Sequence, residues 1–364
     1  MERVLRGAGI AKVGVYLGVL PGAGGMFQYA QSILAALASL PARFAATAVY
    51  AEPAWEPYLA AHPSIRRRKA GNSFLALRRE RQDLWIFPAQ DHLAYLARVP
   101  ALVAVHDLMH RYEREFPEVS AKGRYFLREL RFRGIAATAR GILVDSEFGK
   151  RQVIESYGGA PGRVHPLPYV PPAYIHARTP PGFDARYPLP AKFAFYPAQF
   201  WAHKNHRRLL QALATLPQVE LVLAGTRDRE YAALAALCRE AGVEPRVHFV
   251  GRVADQDMPE LYRRARCLVM PTFFGPTNIP PLEAFALGCP VAVSGIYGMP
   301  EQVGDAALTF DPRSVAGIAT ALGRLWTDDA LCARLRDKGL ERARAWDQAA
   351  FNRRLESILD AVLA

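Results

Sequence analysis

Short apolar runs alternate with longer segments of helical periodicity along the whole chain. In the first half, these runs predict strands at 12–16, 45–50, 84–87, 102–105 and 141–144, with amphipathic helices such as 26–40 and 122–139 between them. The second half predicts strands at 193–196, 221–224, 247–250, 268–270, 291–293 and 307–310, with helices starting near His206, Arg229, Gln256, Pro281, Pro312 and Asp329. Strands that alternate with helices indicate an α/β protein with parallel, doubly wound sheets.

A proline-rich stretch separates the two alternating series. Because 364 residues are too many for one ordinary core, we predict two domains. The predicted division is a Rossmann-like domain over 1–170, a linker over 171–190, a second Rossmann-like domain over 191–345, and a C-terminal helix over 346–364 that packs back toward the first domain. Two such domains suggest a ligand in the cleft between them, at the carboxyl ends of the strands.

The net charge of +12 is concentrated in the first half of the chain. Residues 1–165 contain 23 Lys and Arg against 14 Asp and Glu, whereas the remaining residues contain 23 against 20. Clusters such as Arg66–Lys69 and Arg124–Arg133 suit anionic lipid headgroups, acidic glycans or nucleic acid. For any single cluster, a solvated helix face is the better explanation.

The four cysteines are far apart and show no CxxC spacing. Because most lie in apolar runs, we expect buried, reduced thiols, which favours the cytosol. No apolar stretch approaches the roughly 20 residues that span a bilayer. The apolar residues 10–20 are interrupted by Lys12 and by glycines, so we interpret them as a first strand and expect a cytoplasmic protein that is not exported.

The loop at 271–291 is the most informative segment. Between Gly275 and Leu282, three prolines, a glycine, a threonine and an asparagine precede Glu283, which we predict at the start of a short apolar helix. A stiff loop that brings a carboxylate and a helix N-terminus to the end of a strand is typical of a ligand site. A carboxylate that merely favours the helix dipole is the alternative.

Three other strand ends have residues suited to a ligand. The turn at 20–26 contains Gly24 and Gly25, which would let the backbone approach a ligand, although a flexible turn is as good an explanation. Lys204 lies near a predicted helix N-terminus, where a cation favours phosphate. His106 directly follows a strand and could donate to a sugar or transfer a proton, unless it only packs within the fold.

In this order, these positions resemble the retaining nucleotide-sugar glycosyltransferases of family 4. The resemblance covers nearly the whole chain and depends on a set of short motifs: Gly24-Gly25, His106-Asp107, Val144-Asp-Ser146, Lys204-Asn205, Leu223-Ala-Gly225, Gly251-Arg252-Val253, Leu261-Tyr262 and Pro280-Pro-Leu-Glu-Ala284. It implies the GT-B fold, in which two Rossmann-like domains face a central cleft. It also implies sugar transfer from a nucleotide diphosphate without a metal or another cofactor.

The resemblance assigns roles to individual residues. Lys204 would bind the diphosphate, and Glu283 would accept hydrogen bonds from the ribose. The segment Gly251-Arg252-Val253 would line the base pocket. His106 would contact the donor sugar, and the Gly24-Gly25 turn would lie over the phosphates.

Two positions depart from the family pattern. Gly275 stands where members commonly have a first glutamate that contacts the donor sugar, and Gln199 stands where an arginine commonly binds the diphosphate. We therefore expect Thr277, Asn278 and Ile279 to contact the donor, with Asn278 joining His106 and Lys204 in catalysis. A Gly-Pro-Thr-Asn loop is common in the polysaccharide-assembly members, so we place the chain in that subgroup.

The sequence thus predicts a metal-independent hexosyltransferase that uses a UDP- or GDP-sugar. The expected acceptor is a growing, lipid-linked surface glycan such as lipopolysaccharide, O-antigen or exopolysaccharide. The basic first domain could contact the anionic inner face of the plasma membrane. A non-catalytic sugar-nucleotide-binding or scaffold subunit is the alternative, whereas nucleic-acid binding has no motif in its favour.

Overall fold

The computed structural model describes residues 10–22, 24–226 and 229–364. Its strands are β1 Ala11–Leu17, β2 Phe44–Tyr50, β3 Arg66–Lys69, β4 Leu84–Phe87, β5 Ala101–Ala104, β6 Gly141–Val144, β7 Val164–Pro166, β8 Ala194–Pro197, β9 Leu221–Ala224, β10 Val247–Gly251, β11 Cys267–Met270, β12 Val291–Ser294 and β13 Ala307–Phe310.

Seventeen α-helices lie among the described residues. They are α1 Gly25–Ala38, α2 Glu56–Ala60, α3 Ser73–Arg79, α4 Leu93–Leu96, α5 Met109–Tyr112, α6 Pro117–Ser120, α7 Arg124–Thr138, α8 Glu147–Tyr157, α9 Phe183–Arg186, α10 His206–Ala214, α11 Arg229–Glu240, α12 Met258–Arg264, α13 Ile279–Ala286, α14 Met299–Val303, α15 Val315–Thr327, α16 Asp329–Ala345 and α17 Gln348–Leu363.

The strands form two sheets in which every pair is parallel. The first has the order β3-β2-β1-β4-β5-β6-β7 and the second the order β10-β9-β8-β11-β12-β13. Each sheet starts in its middle, winds to one edge and then resumes on the other side, which is the doubly wound Rossmann order. The predicted α/β class is therefore confirmed.

The chain divides into two compact units. The first contains the described residues up to Leu108, together with Phe126–Val170 and Asp347–Ala364, and the second contains Met109–Tyr125 and Pro171–Trp346. Helix α17 lies in the first unit and packs against α1. In the second unit, strands β8, β9, β11 and β12 are almost fully buried, as expected for a parallel sheet covered on both faces.

Two strands, β3 and β7, were not predicted from the pattern. The sequence of β3 is Arg-Arg-Arg-Lys with all four side chains exposed, so it has no apolar signal. It is an edge strand, and Glu80 pairs with Arg66 and Arg68 while Glu56 pairs with Lys69. This basic cluster is therefore partly neutralised, and charge on an edge strand also protects the sheet from pairing with another chain.

Helix α15 begins at Val315, three residues after the start predicted at Pro312. The Asp311 carboxylate accepts a hydrogen bond from the Arg313 N–H at 2.8 Å, which closes a local turn. Ser314 is the N-cap, and its hydroxyl accepts from the Gly317 N–H at 3.0 Å. The prediction was wrong because two capping residues are close together and the second one starts the helix.

All four cysteines are free and buried, as predicted. No helix in the described ranges combines the length and the apolar character that crossing a bilayer requires.

Candidate functional site

Strands β8 and β11 lie side by side at the switch point of the second sheet, where the direction of winding reverses. Open α/β sheets bind their ligands at this point, outside the carboxyl ends of the strands. The loop after β8 contains Gln199 and Lys204, and the loop after β11 contains Gly275, Thr277 and Asn278. The topology of the second unit thus brings these two predicted site loops to the same edge.

Hydrogen bonds join the two loops. The buried Asn205 side chain donates to the carbonyl of Pro271 at 2.9 Å and to that of Pro312 at 2.8 Å. The His203 carbonyl accepts from the Phe273 N–H at 2.8 Å and from the Thr272 hydroxyl at 3.3 Å. The loops after β8, β11 and β13 are therefore held in one arrangement.

Lys204 ends a short 3₁₀ turn directly before α10. Its carbonyl accepts from the Tyr196 hydroxyl at 2.9 Å, and Asn205 turns the chain into the helix with φ 60°. The N–H groups of the first three helical residues, His206, Arg207 and Arg208, have no acceptor within their own helix. A lysine beside three such N–H groups is a suitable site for a phosphate.

His206 is buried beside Lys204. Burial, together with the Lys204 charge, lowers the pKa of His206 to about 3. The ring is therefore neutral at physiological pH, so the positive charge at this helix start comes from Lys204, Arg207 and Arg208.

Gln199 occupies the position of the absent arginine. Its side-chain oxygen Oε1 accepts from the Thr226 N–H at 3.1 Å, which ties the loop after β8 to the loop after β9. The side chain thus holds the backbone of a neighbouring loop. Its predicted contact with a donor stays a prediction.

Gly275 is required by the shape of its loop. Its φ is 90°, which favours glycine, and a Cβ there would lie 2.7 Å from the Asn278 side-chain nitrogen and 2.7 Å from the Thr277 carbonyl oxygen. A glutamate at this position is therefore incompatible with the loop as it stands. The missing carboxylate reflects a different loop conformation, not a simple substitution.

Asn278 is fixed by its neighbours. Its backbone N–H donates to the Gln302 side chain at 3.0 Å, and its carbonyl accepts from the same side chain at 2.7 Å. Its own amide group donates to the Phe274 carbonyl at 3.2 Å and approaches the Met299 sulfur at 3.4 Å. Asn278 therefore stabilises the loop, and its predicted role toward a donor sugar is not tested by these contacts.

Helix α13 begins at Ile279, two residues before the predicted start. Asn278 is its N-cap, and Pro280 and Pro281 occupy the first turn without an N–H. Because the N–H of Asn278 is bonded to Gln302, Ile279 provides the remaining N–H among the cap and first three positions. The start of α13 therefore has fewer N–H groups available to bind a phosphate than the start of α10 has.

Glu283 is the fifth residue of α13 and not part of its first turn. This position does not support the alternative that the carboxylate only favours the helix dipole, since that effect is confined to the first turn. The side chain is buried. Tyr174 donates a hydrogen bond to one carboxylate oxygen, and Tyr262 donates to the other at 2.5 Å.

The burial of Glu283 has an electrostatic consequence. Burial raises the pKa of its carboxyl group, while the two tyrosine hydroxyls act in the opposite direction. Burial and the charge of Glu283 raise the pKa values of Tyr174 and Tyr262, so that both hydroxyls keep their protons and donate.

The segment predicted to line a base pocket follows β10. Gly251 has φ 74°, and its carbonyl accepts from the Gly225 N–H at 3.0 Å. Arg252 is exposed and Val253 is buried. The pairing of β10 with β9 shifts register at Gly251, so the chain leaves the sheet there.

The predicted residues of the first unit lie near the ends of β1 and β5. Gly24 caps α1 with φ 62° and, like Gly25, is exposed. His106 is buried with both ring nitrogens engaged: Nε2 donates to the Pro88 carbonyl at 2.7 Å, and Nδ1 accepts from the Tyr169 hydroxyl at 2.7 Å. Burial lowers the pKa of His106, so its ring is neutral. Its contact with a donor sugar stays a prediction.

Sequence reasoning missed several residues that shape these sites. Tyr174 lies in the stretch taken for a linker, Gln302 belongs to no motif, and the motif Leu261-Tyr262 came without a role for Tyr262. His203 carries a further contact, because its Nδ1 lies 3.1 Å from the Glu118 carboxylate and its ring stacks on Phe274. Among these contacts, only those of His203 had a sequence signal, which is the run of polar residues at 203–206.

Residues 184–342 match the family described as glycosyl transferases group 1. The match covers less than half of the chain, and this part is similar to a group 1 glycosyltransferase domain. The matched range contains all predicted site residues of the second unit, from Gln199 to Glu283. Gly24, Gly25 and His106 lie outside the matched range.

Two relatives illustrate the similarity. O-antigen chain mannosyltransferase B of Escherichia coli is 35% identical over 162 residues, which cover 43% of this chain and 42% of that protein. D-inositol 3-phosphate glycosyltransferase of Mycobacterium tuberculosis is 28% identical over 236 residues, which cover 61% of this chain and 47% of the relative. The chain thus matches less than half the length of either curated relative.

Solved structures extend the fold assignment beyond the matched range. Sucrose-phosphate synthase from Thermosynechococcus elongatus superposes with a TM-score of 0.75 at 20% identity, covering 96% of this chain and 98% of that one. Anabaena Alr3699/HepE in complex with UDP-glucose gives 0.76 at 18% identity, covering 96% and 99%. WaaG, a glycosyltransferase involved in lipopolysaccharide biosynthesis, gives 0.68 at 17%, covering 95% and 99%. The GT-B fold predicted from the motifs is confirmed.

Proposed function

We propose that the chain is a retaining, metal-independent hexosyltransferase that transfers a sugar from a UDP- or GDP-sugar to a growing, lipid-linked surface glycan. The observation that carries the proposal is Lys204 beside the open N–H groups of α10, at the switch point of a group 1 glycosyltransferase domain. The similarity to an O-antigen mannosyltransferase supports the class of acceptor.

The chemistry follows from the leaving group. When the bond between the sugar and the nucleoside diphosphate breaks, negative charge develops on a phosphate oxygen, and preorganised donors aimed at that charge stabilise the transition state. Lys204 and the N–H groups of α10 fill this role in the proposal. The single N–H of Ile279 adds one donor from α13, and Glu283 accepts from the ribose.

The test is a transfer assay with UDP- and GDP-sugars. Thermal shift against the two diphosphates selects the base, because a bound ligand stabilises the folded protein according to its occupancy. We expect turnover with one donor class and a loss of about 100-fold or more in Lys204→Ala, since one charged donor to the developing oxyanion is removed. Lys338→Ala is the control, because Lys338 pairs with Asp305 on an exposed surface. Undiminished turnover in Lys204→Ala would refute the assignment.

Gly275 motivates the second candidate, a non-catalytic sugar-nucleotide-binding or scaffold subunit. The loop has no room for the glutamate that contacts the donor sugar in family members. The transfer assay separates the two functions. Nucleotide binding without turnover in the wild type would favour the scaffold.

We also propose that α7 rests on an anionic membrane. Phe126, Leu127 and Leu130 are 75%, 63% and 65% exposed, and Leu130 lies about one helical turn after the adjacent Phe126 and Leu127 on one side of α7. The flanking Arg124 and Arg131 complement a negative surface. The net positive charge of the predicted basic cluster at 124–133 is lower than its sequence indicates, because Asp107 pairs with Arg128 and Glu129 pairs with Arg133.

Sedimentation with anionic vesicles tests this surface. We expect binding at low salt that weakens at high salt. Replacing Phe126 and Leu130 by serine should release the protein, whereas Leu96→Ser, at an exposed leucine outside α7, should not. Equal binding of all three proteins would contradict a role for α7.

A further inference from the structure

The Glu283 carboxylate has a donor on each of its oxygens. Tyr174 binds Oε1 and Tyr262 binds Oε2, and the carboxylate is buried between them. Hydrogen bonds to an ionised group are among the stronger ones in proteins, and a buried carboxylate without them would be costly. The two tyrosines therefore fix the orientation of a side chain whose terminal torsion is otherwise soft.

The two tyrosines leave a defined acceptor capacity. An ionised carboxylate has about four lone-pair sites, two on each oxygen. With one site on each oxygen taken by a tyrosine, one site on each remains. This remainder matches a pair of neighbouring hydroxyls, such as the 2′ and 3′ hydroxyls of a ribose.

Tyr174 is held in place by the chain around it. Ile175 is buried, and Thr179 donates to Glu260 of α12 at 3.0 Å. Further along, Arg186 pairs with Asp257 at 2.7 Å, immediately before α12. Because Tyr262 belongs to α12, both tyrosines are positioned by the same helix. The segment predicted as a mere linker thus builds half of the surroundings of Glu283.

We propose that Tyr174 is a positioning residue, which holds the Glu283 carboxylate so that it accepts both ribose hydroxyls of the donor nucleotide. The inference depends on the proposed function, since it requires a nucleoside diphosphate in this unit. Tyr174 acts through Glu283 and does not itself touch the donor. Its removal should therefore affect recognition of the ribose and not of the phosphates.

Calorimetric titration of a ribonucleoside diphosphate and its 2′-deoxy analogue tests this role, using UDP with dUDP and GDP with dGDP. In the wild type we expect tighter binding of the ribonucleotide. Tyr174→Phe should weaken ribonucleotide binding by about fivefold or more, which corresponds to about 1 kcal/mol for a lost hydrogen bond. The deoxynucleotide affinity should change less than twofold. Discrimination, meaning the ratio of the ribonucleotide affinity to the deoxynucleotide affinity, should therefore fall.

Tyr187→Phe is the matched control. Tyr187 lies in the same segment and also donates to a carboxylate, that of Asp257 at 3.2 Å. Its loss should leave discrimination unchanged. A general loosening of the segment would instead lower both affinities equally in Tyr174→Phe, which would overturn the inference.

Glu283→Gln separates this inference from the proposed function. If Glu283→Gln abolishes discrimination but Tyr174→Phe keeps it, the ribose role of Glu283 stands and the inference about Tyr174 is wrong. Tighter ribonucleotide binding in Tyr174→Phe would also overturn it, because the tyrosine would then be a competitor of the ribose. If the wild type binds neither diphosphate, the proposed nucleotide site itself fails and the inference fails with it. If Glu283→Gln still prefers the ribonucleotide, the ribose role of Glu283 and the inference about Tyr174 are wrong, while the diphosphate site at Lys204 stands.

Discussion

The backbone of Gly275 and the side chain of Asn278 are so close that a single added methyl group does not fit between them. A Cβ on Gly275 would lie 2.7 Å from the Asn278 amide nitrogen, and the Gly275 φ of 90° disfavours other residues as well. The conformation of the 271–278 loop therefore excludes the glutamate that family members commonly have at this position.

The first prediction is that restoring this glutamate does not restore a site. Gly275→Glu and Gly275→Ala should each lower the free energy of unfolding by about 2 kcal/mol or more, from the positive φ and the clash together. Gly242→Ala is the control, because Gly242 also has a positive φ but open space around it, and it should lose only about 1 kcal/mol. Urea unfolding measures all three. A stable Gly275→Glu protein with raised turnover would contradict the account.

The second prediction concerns Asn278. Asn278→Ala removes the 3.2 Å hydrogen bond to the Phe274 carbonyl, which then has only the Thr272 hydroxyl at 3.3 Å, and loosens the loop after β11. We expect kcat to fall by about tenfold or more, while the Kd for the nucleoside diphosphate changes less than threefold. Equal losses in kcat and in nucleotide affinity would show that Asn278 acts in nucleotide binding instead.

Gln302 gives a third prediction about the same loop. Its side chain binds both backbone groups of Asn278, at 3.0 and 2.7 Å. Gln302→Ala should therefore reproduce the fall in kcat, and the double variant with Asn278→Ala should lose less than the sum of the two single losses. Strictly additive losses, expressed as free energies, would indicate that the two residues act separately.

The fourth prediction is a pH dependence of stability from Glu118. Burial alone would raise its pKa, but the hydrogen bond and charge of His203 lower the pKa to about 2. Because the folded-state pKa lies below the unfolded value, the pair stabilises the protein above about pH 4.5, and this contribution disappears as the pH falls toward 2. Glu118→Gln should lower stability by roughly 1 kcal/mol at pH 6, allowing for partial exposure, and by less than half of that at pH 3.

Urea unfolding at the two pH values checks the Glu118 prediction. Glu115→Gln serves as the control, because Glu115 lies in the same segment but is exposed. It should change stability by no more than about 0.5 kcal/mol at either pH. A Glu118→Gln deficit that is as large at pH 3 as at pH 6 would contradict the ion pair.

The sequence predicted the fold well because parallel strands buried on both faces are continuous apolar runs. It missed β3 and β7, since a charged edge strand and a three-residue strand ending in proline have no such pattern. Helix starts were misplaced where prolines and capping residues cluster, as before Val315 and Ile279. Each of these helix starts depends on which of several neighbouring capping residues accepts the first hydrogen bonds, and the hydrophobic pattern of the sequence contains no information about that.

The site was only partly predictable, because motifs identify residues but not their partners. The sequence singled out Lys204 and Glu283, yet the contacts of Glu283 with Tyr174 and Tyr262 join residues 109 and 21 positions apart. Likewise, Phe116 packs against Phe273 and Phe274 within the second unit, although it lies in the first third of the chain. Tertiary packing creates these contacts, and no local signal announces them.

The central claim is that the second unit binds a nucleoside diphosphate through Lys204 and the start of α10. Isothermal titration of UDP and GDP into the wild type, Lys204→Ala and Lys338→Ala tests it most directly. The account predicts that one diphosphate binds the wild type and Lys338→Ala with the same Kd, and binds Lys204→Ala at least about tenfold more weakly. Equal affinity for Lys204→Ala, or no binding of either diphosphate to the wild type, would contradict it.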